Sequence, residues 1–275
     1  MDMKPIIELR DLAYRYPDGS EALRAVSLEI ERGERVAVLG NNGAGKSTLF
    51  LLLNGIYRAK SGVYLFDGQE VTYSKLALYE LRSRVGVVFQ EPDNQLFAPS
   101  VYEELSFGPL NLNLSVEEVK CRICEVMLMV DIEAIKNKPP QLLSYGQKKR
   151  VAIASVLTMK PEVLVLDEPL SGLDPAHSLA LVKLFDDLHM AGTTVVLSTH
   201  DVDFALSWAD KIVLMNNGVV EIVGYPDAVF SNRKLLQRCG LQMPTVLKLY
   251  ETIAHKCVGK TPKNIDELNL LIGGL

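Results

Sequence analysis

The sequence predicts an α/β fold: a mostly parallel sheet with helices on both faces, interrupted by a helical insertion and followed by a helical tail. Three observations predict it. Apolar runs of strand length, among them Val36–Leu39, Val85–Phe89 and Val163–Leu166, alternate with stretches of helical pattern. A glycine-rich loop joins one of those runs directly to a helix at 40–47. From Val101 to about Lys160 the strand pattern gives way to helix altogether.

Taken in order, Ile6-Ile7-Glu8-Leu9 and Val26–Ile30 alternate as strands do, with turns at Pro17-Asp18-Gly19 and Glu31-Arg32-Gly33-Glu34. Val36–Leu39 is the next strand. A helix begins near Lys46, because Ser47–Asn54 is rich in apolar residues and holds no breaker. Val63–Phe66 with its Asp67-Gly68 turn reads as a strand pair, and Val85–Phe89 as a buried strand. Ser100 with Glu103, Ser115 with Glu118 and Ser144 with Gln147 are capping-box signatures, each opening a helix. Gly108-Pro109 and Pro139-Pro140 punctuate this region. Strands return at Val163–Leu166, Thr194–Ser198, Ile212–Met215 and Val219–Val223; helices over Pro175–Met190 and Val202–Ala209 separate the first three. After Pro226 the pattern is helical, broken at Pro244 and Pro262. There is no internal repeat and no low-complexity segment.

Composition narrows the function classes. Over 275 residues, 29 Lys plus Arg face 34 Asp plus Glu, a net charge of −5. Such a chain has no bulk attraction for nucleic acid or anionic lipid, so any phosphate chemistry must come from a local site. Mean hydropathy is slightly positive, +0.13. Yet nothing approaches the roughly 18–20 apolar residues of a spanning helix, and Leu49–Leu53 is the densest run. The opening Met1-Asp2-Met3-Lys4-Pro5 has no apolar signal core, so export by that route is not expected. Cys121-x-x-Cys124 has the spacing of half a zinc site or of a redox pair, but Cys239 and Cys257 form no second pair, and the segment reads as helix. The cysteines are therefore expected to be small hydrophobes on helices.

Gly40-Asn41-Asn42-Gly43-Ala44-Gly45-Lys46-Ser47 has the form G-x-x-x-x-G-K-[ST], directly after a strand and opening a helix. Glycines let the backbone turn its N–H groups onto an anion, and the helix N-terminus adds partial positive charge. Lys46 brings a mobile cation to β- and γ-phosphates, and the Ser47 hydroxyl, with Thr48 beside it, suits a Mg²⁺–nucleotide. The run Val163–Leu166 ends in Asp167-Glu168, two carboxylates at the C-terminal edge of a strand, where ligands bind in open α/β sheets. Asp167 is placed to hold Mg²⁺, and Glu168 to polarise an attacking water. Gln90 and His200 each follow a strand and reach the same rim.

These motifs resemble the ATP-binding-cassette ATPases. Leu143-Ser144-Tyr145-Gly146-Gln147 is similar to that family's Leu-Ser-Gly-Gly-Gln signature, Ser171-Gly172-Leu173-Asp174 to its D-loop, Gln90 to its Q-loop glutamine and His200 to its switch histidine. Tyr16 resembles the aromatic on which adenine stacks, with Tyr14 the weaker candidate. The resemblance implies a P-loop ATP-binding-cassette fold with a RecA-like parallel-sheet core, an antiparallel β subdomain, an inserted α-helical signature subdomain at about 93–160 and a helical C-terminal extension. The nucleotide-binding domain would span 1–240 and the extension 241–275. Phe89–Phe97, Ser106–Leu112 and Gly146–Ala154 resemble the ATPase subunits of energy-coupling-factor importers, most closely the cobalt type, with nickel and vitamin systems as near neighbours.

The resemblance further implies ATP and Mg²⁺ as cofactors and a second ATPase subunit as partner, identical or not. Ser144, Gly146 and Gln147 would face the γ-phosphate on that other subunit, and Asp174 would link the two sites. A transmembrane coupling component would dock at a cleft involving Asp93–Pro109, beside a substrate-binding membrane component. The chain would then sit peripherally on the cytoplasmic face of the membrane. Catalysis would fall to Glu168, His200, Gln90 and Lys46, with Ser47, Gln90 and Asp167 around the metal. Tyr145 departs from the signature's glycine: its ring either stacks near the opposite ribose or widens the interface. The other reading is a soluble cassette ATPase acting on DNA or the ribosome. Against it, Lys46 to Asp167 holds neither a zinc module nor a long coiled coil.

Overall fold

Strands that are apolar on both faces need cover on both faces, and that requirement organises the computed structural model, which describes residues 4–254 and 261–273. β7 (Val163–Leu166) and β8 (Thr194–Ser198) are buried at every position. They lie inside a six-stranded sheet of order β10-β9-β3-β8-β7-β6. Its other strands are β3 (Arg35–Leu39), β6 (Val85–Val88), β9 (Lys211–Asn216) and β10 (Val219–Gly224). All pairings are parallel except β9 with β10. That hairpin turns through Asn217 and Gly218, both at positive φ, as a two-residue turn with the strands' own twist requires.

The early strands form a separate antiparallel sheet, β2-β1-β4-β5, from β1 (Ile7–Arg15), β2 (Glu21–Ile30), β4 (Ser61–Phe66) and β5 (Gln69–Glu70). One apolar core joins this sheet to α1 (Lys46–Leu53) through Leu9, Val26, Leu49 and Phe50; a second lies between the parallel sheet and the later helices, around Ile153, Phe185 and Phe230. At the seam the carbonyl of Ala22 on β2 faces two glycines. A Cβ would stand 2.7 Å from that oxygen at Gly45 and 2.6 Å at Gly218. The Arg24 N–H donates to the Gly218 carbonyl at 2.8 Å. The two sheets thus meet backbone to backbone at the phosphate loop.

The insertion contains α3 (Val101–Asn111), α4 (Val116–Met129) and α5 (Tyr145–Leu157). Ser100, Ser115 and Ser144 cap them as expected, but only Ser144–Gln147 forms the full reciprocal box. The Glu118 carboxylate turns instead to Arg122 Nε, 2.7 Å away. Gly108-Pro109 does not end α3. Pro109 lies in its last turn, where a single ladder hydrogen bond is lost with little helix beyond it, and the helix runs on to Asn111.

The sequence reading assigned nothing to α2 (Lys75–Arg84), which Ser74 caps and which buries only Leu81. One buried anchor leaves no apolar stripe to detect. α6 (Pro175–Met190) and α7 (Val202–Trp208) fall where expected, followed by α8 (Pro226–Phe230), α9 (Arg233–Arg238), α10 (Thr245–Ile253) and α11 (Ile265–Gly273). Cys121 and Cys124 are exposed on α4 rather than packed as hydrophobes, Cys239 is buried, and Cys257 lies outside the described residues. Among the described residues no cluster of His, Cys, Asp and Glu could hold a metal by itself.

Candidate functional site

The parallel strands end on one rim, and the loops that leave them line a cleft of about 820 Å³. Gly40–Gly45 wraps one side, between β3 and α1. Lys46, Ser47 and Thr48 open the helix behind it, and Tyr16 closes the outer end. Asp167, Glu168, Gln90 and His200 line the far side. Ser144, Gly146, Gln147 and Asp174 are not brought to this cleft; they stand at the starts of α5 and α6 in the same chain.

Lys46 is buried, and its ammonium donates to the Gly40 carbonyl at 2.5 Å and to the Asn41 carbonyl at 3.4 Å. Burial pulls its pKa down, against the opposing pull of Glu168 and Asp167. An incoming polyanion would relieve that desolvation, which makes the lysine a receptive cation. Tyr16 Oη and Thr48 Oγ1 are 2.8 Å apart, which fixes the ring beside the loop. Tyr16 also stands edge-on to Tyr14 and Tyr57. Tyr14 is stacked on Tyr57 at 4.8 Å, so one of its faces is already taken.

Asp167 and Glu168 are held by a residue that the sequence reading left inside a strand. The fully buried Ser198 donates its hydroxyl to Asp167 Oδ1 at 2.5 Å and accepts the Glu168 N–H at 2.8 Å. Glu168 has φ +46, in the left-handed region. Its Oε2 lies 3.1 Å from His200 Nδ1; the carboxylate is mostly enclosed and the imidazole exposed. Oxygen donors from Asp167, Ser47 and Gln90 around a phosphate loop suit Mg²⁺, which prefers one or two protein oxygens plus phosphate and water to an all-protein cage.

Sequence reasoning also missed Lys149. It is wholly buried on α5, and its ammonium donates to the carbonyls of Glu168 (2.6 Å) and Ser171 (3.0 Å). Burial pushes its pKa down to about 8, against the raising influence of Glu91, Glu168 and Asp167. Tyr145 lies beside this lysine. Its ring folds back on its own chain, 5.4 Å from the Lys149 ammonium and against Gly172. Asp174 caps α6 by accepting the His177 N–H at 3.0 Å, and its other oxygen meets His177 Nδ1 at 2.5 Å.

A second, more apolar cleft of about 590 Å³ lies between α2 and the insertion, lined by Ile56, Leu78, Tyr79, Phe97, Phe107 and Met159 among others. Phe97 and Phe107 meet edge to face at 4.9 Å while both remain more than half exposed. Phe97, Glu104, Phe107 and Gly108 fall in the expected segment Asp93–Pro109; Asp93 itself instead pairs with Lys148 on α5 at 2.6 Å.

Residues 23–171 match the family model described as "ABC transporter". The energy-coupling factor transporter ATP-binding protein EcfA of Methanocaldococcus jannaschii is 48% identical over 91% of this chain and 90% of its own length. The EcfA of Methanothermobacter thermautotrophicus is 47% identical over 89% of this chain and 78% of its own. Among solved structures, cbiO1 of Clostridium perfringens, described as part of the ABC transporter complex cbiONQ, superposes with a TM-score of 0.75 at 42% identity, over 90% of this chain and 99% of that one. A dimeric ATP-binding cassette in a post-hydrolysis state with ADP and Pi gives 0.73 at 29% identity, over 80% and 98%.

Proposed function

The chain belongs to the ABC transporter ATPases, in the branch of energy-coupling factor ATP-binding subunits, and from that premise we propose how it works, with what, and on what cargo. It is an ATP-hydrolysing transporter subunit. In our reading it acts as a pair of subunits on the cytoplasmic face of the membrane, attached to a transmembrane coupling component and through it to a substrate-binding component. No described helix is long and apolar enough to cross a membrane, which accords with a peripheral place.

The observation that carries the mechanism is the single cleft in which Asp167 and Glu168, ending a buried strand, face Lys46 and the phosphate loop. The adenine stacks on Tyr16. Loop amides from Gly40 to Gly45, Lys46 and the Ser47–Thr48 helix start hold the triphosphate. Ser47, Gln90 and Asp167 would hold Mg²⁺, which when bound neutralises phosphate charge. Glu168 orients the attacking water and takes its proton, and His200 steadies the γ-phosphate from the exposed rim. Ser144 caps an α5 terminus whose partial positive charge, with Gly146 and Gln147, closes on the partner's nucleotide, and Asp174 connects the two sites. ATP clamps the pair shut and hydrolysis lets it open.

The apolar cleft around Phe97 and Phe107 receives a short helix of the coupling component, so that closure of the pair moves it. Cobalt is the proposed cargo, on the likeness of Phe89–Phe97 and Ser106–Leu112 to cobalt-type subunits; nickel and vitamins are the alternatives. A cassette acting on DNA or the ribosome accords poorly with relatives that are transporter ATP-binding proteins by name. The test is purification of the chain from membranes with its partners identified, then uptake of labelled cobalt, nickel or vitamin by cells with and without it. Recovery of an integral membrane partner and loss of cobalt uptake alone is the expected result. Recovery with ribosomes or DNA instead would overturn the reading.

A further inference from the structure

Catalytic carboxylates are only as good as their aim, and the backbone of Glu168 is held at both of its peptides. Its residue is in the left-handed region, φ +46, a conformation that non-glycine residues keep only where the surroundings over-determine it. The N–H donates to Ser198 Oγ at 2.8 Å. The carbonyl accepts the Lys149 ammonium at 2.6 Å, and the same ammonium reaches the Ser171 carbonyl at 3.0 Å. Were these bonds released, the backbone would relax out of the left-handed region and swing the carboxylate away from its place 3.1 Å from His200. Lys149 is wholly buried, so its ammonium is committed to those carbonyls rather than to solvent. The Tyr145 ring closes over it: a Cβ on Gly172 would stand only 2.8 Å from the ring's Cε1, and the ammonium lies 5.4 Å from the ring centre.

We propose that Lys149 is a positioning residue for hydrolysis: its grip on the carbonyls of Glu168 and Ser171, sealed by Tyr145, keeps the Glu168 carboxylate aimed at the attacking water. Because Lys149 sits one turn into the helix that Ser144 caps, the segment that would touch the partner's nucleotide is tied to its own subunit's catalytic carboxylate. The proposal rests on the reading of Glu168 as general base.

The test is a double-mutant cycle on the intact subunit, with wild type, Lys149→Met, Glu168→Gln and the combination compared in steady-state and single-turnover ATP hydrolysis. Misplacing a catalytic group by about 1 Å can cost on the order of a hundredfold. Lys149→Met is therefore expected to lower kcat by about tenfold or more, with KM for ATP moved less than about twofold. Lys149→Arg, which keeps donors and charge, recovers most of kcat. In the Glu168→Gln background Lys149→Met changes the residual rate by less than about twofold, because there is no base left to aim. A loss confined to KM, or one carried undiminished into the Glu168→Gln background, overturns the positioning role. Near-normal hydrolysis by Glu168→Gln alone would instead overturn the general-base reading. If Lys149→Met does not fold, Lys149→Gln, one bond shorter and able to reach one carbonyl, takes its place in the same cycle, with an expected loss of about threefold to tenfold in kcat.

Discussion

Replacing Ser198 by alanine removes a single oxygen from a fully buried site, yet two hydrogen bonds go with it. One is donated to the Asp167 carboxylate, which is itself only 8% exposed. Hydrogen bonds to charged groups are worth about 1.5–3 kcal/mol. The other satisfies the Glu168 N–H, and an orphaned buried donor costs about 1–3 kcal/mol. The two share one atom and are not additive, and water from the adjacent cleft can repair part of the damage. An overall loss of about 2–4 kcal/mol follows. That is a large part of a typical domain stability of about 5–15 kcal/mol, but it leaves the chain folded. Urea unfolding without nucleotide measures it, since bound ATP would mask the difference by mass action. The same variant should lower kcat by about tenfold or more and need more Mg²⁺ for half-maximal rate, because Asp167 is the carboxylate set loose. A midpoint shift equivalent to less than about 0.5 kcal/mol, the range of an ordinary surface substitution, would refute the assignment of this hydroxyl as the brace beneath both carboxylates.

Glu168→Gln keeps the shape of the side chain and removes the base, so ATP hydrolysis should fall by about 10²–10⁴-fold while ATP still binds. In size-exclusion chromatography with ATP this variant should run as a stable dimer, and a near-normal rate would sink the role given to Glu168. A second prediction concerns acid. Hydrogen bonds from Arg84 hold the carboxyls of Asp67 and Glu162 below the ordinary carboxylate range, with Arg32 adding to both. Below that range the unfolded chain binds protons more readily than the folded one, so the contribution is complete above it and drains away as pH falls through it. Arg84→Met should therefore lower the urea midpoint at about pH 6 and leave a shallower decline towards about pH 3; parallel pH profiles for the two proteins would count against the network.

Much of this is legible in the sequence alone. The glycine-rich loop is read from spacing because each of its positions answers to a local demand of strand, turn and helix start. Asp167, Gln90 and His200 were placed by a different local fact: each follows an apolar run, and parallel strands deliver their ends to one rim. What escaped depended on partners remote in sequence. Ser198 reads as one more strand residue, and nothing in the run Val195–Ser198 marks it as a brace for carboxylates thirty positions earlier. Lys149, in Gln147-Lys148-Lys149-Arg150, reads as a solvated charge. In the fold Lys148 turns to Asp93 while Lys149 turns inward to backbone carbonyls, which carry no side-chain signature at all. The Tyr145 ring likewise meets Lys149 and Gly172 of its own chain, contacts that no local pattern announces. Pro109 signals a break only when it stands in mid-helix, and here it comes in the last turn.

The seam at Ala22, where β2 meets Gly45 and Gly218 with no side chain between, has a consequence for how a nucleotide would be measured. Tyr16 follows from the antiparallel sheet and the phosphate loop from the parallel one, so that seam fixes the span from base platform to phosphate cradle. It would act as a rigid gauge between the two, built into the backbone of both sheets. The γ-phosphate, the difference between ATP and its product, would fall at the far end, among Lys46, Gln90, Glu168 and His200. The half of the cleft that recognises the base would thus hold still through the cycle, and the work of telling spent nucleotide from fresh would rest on the end that meets the γ-phosphate.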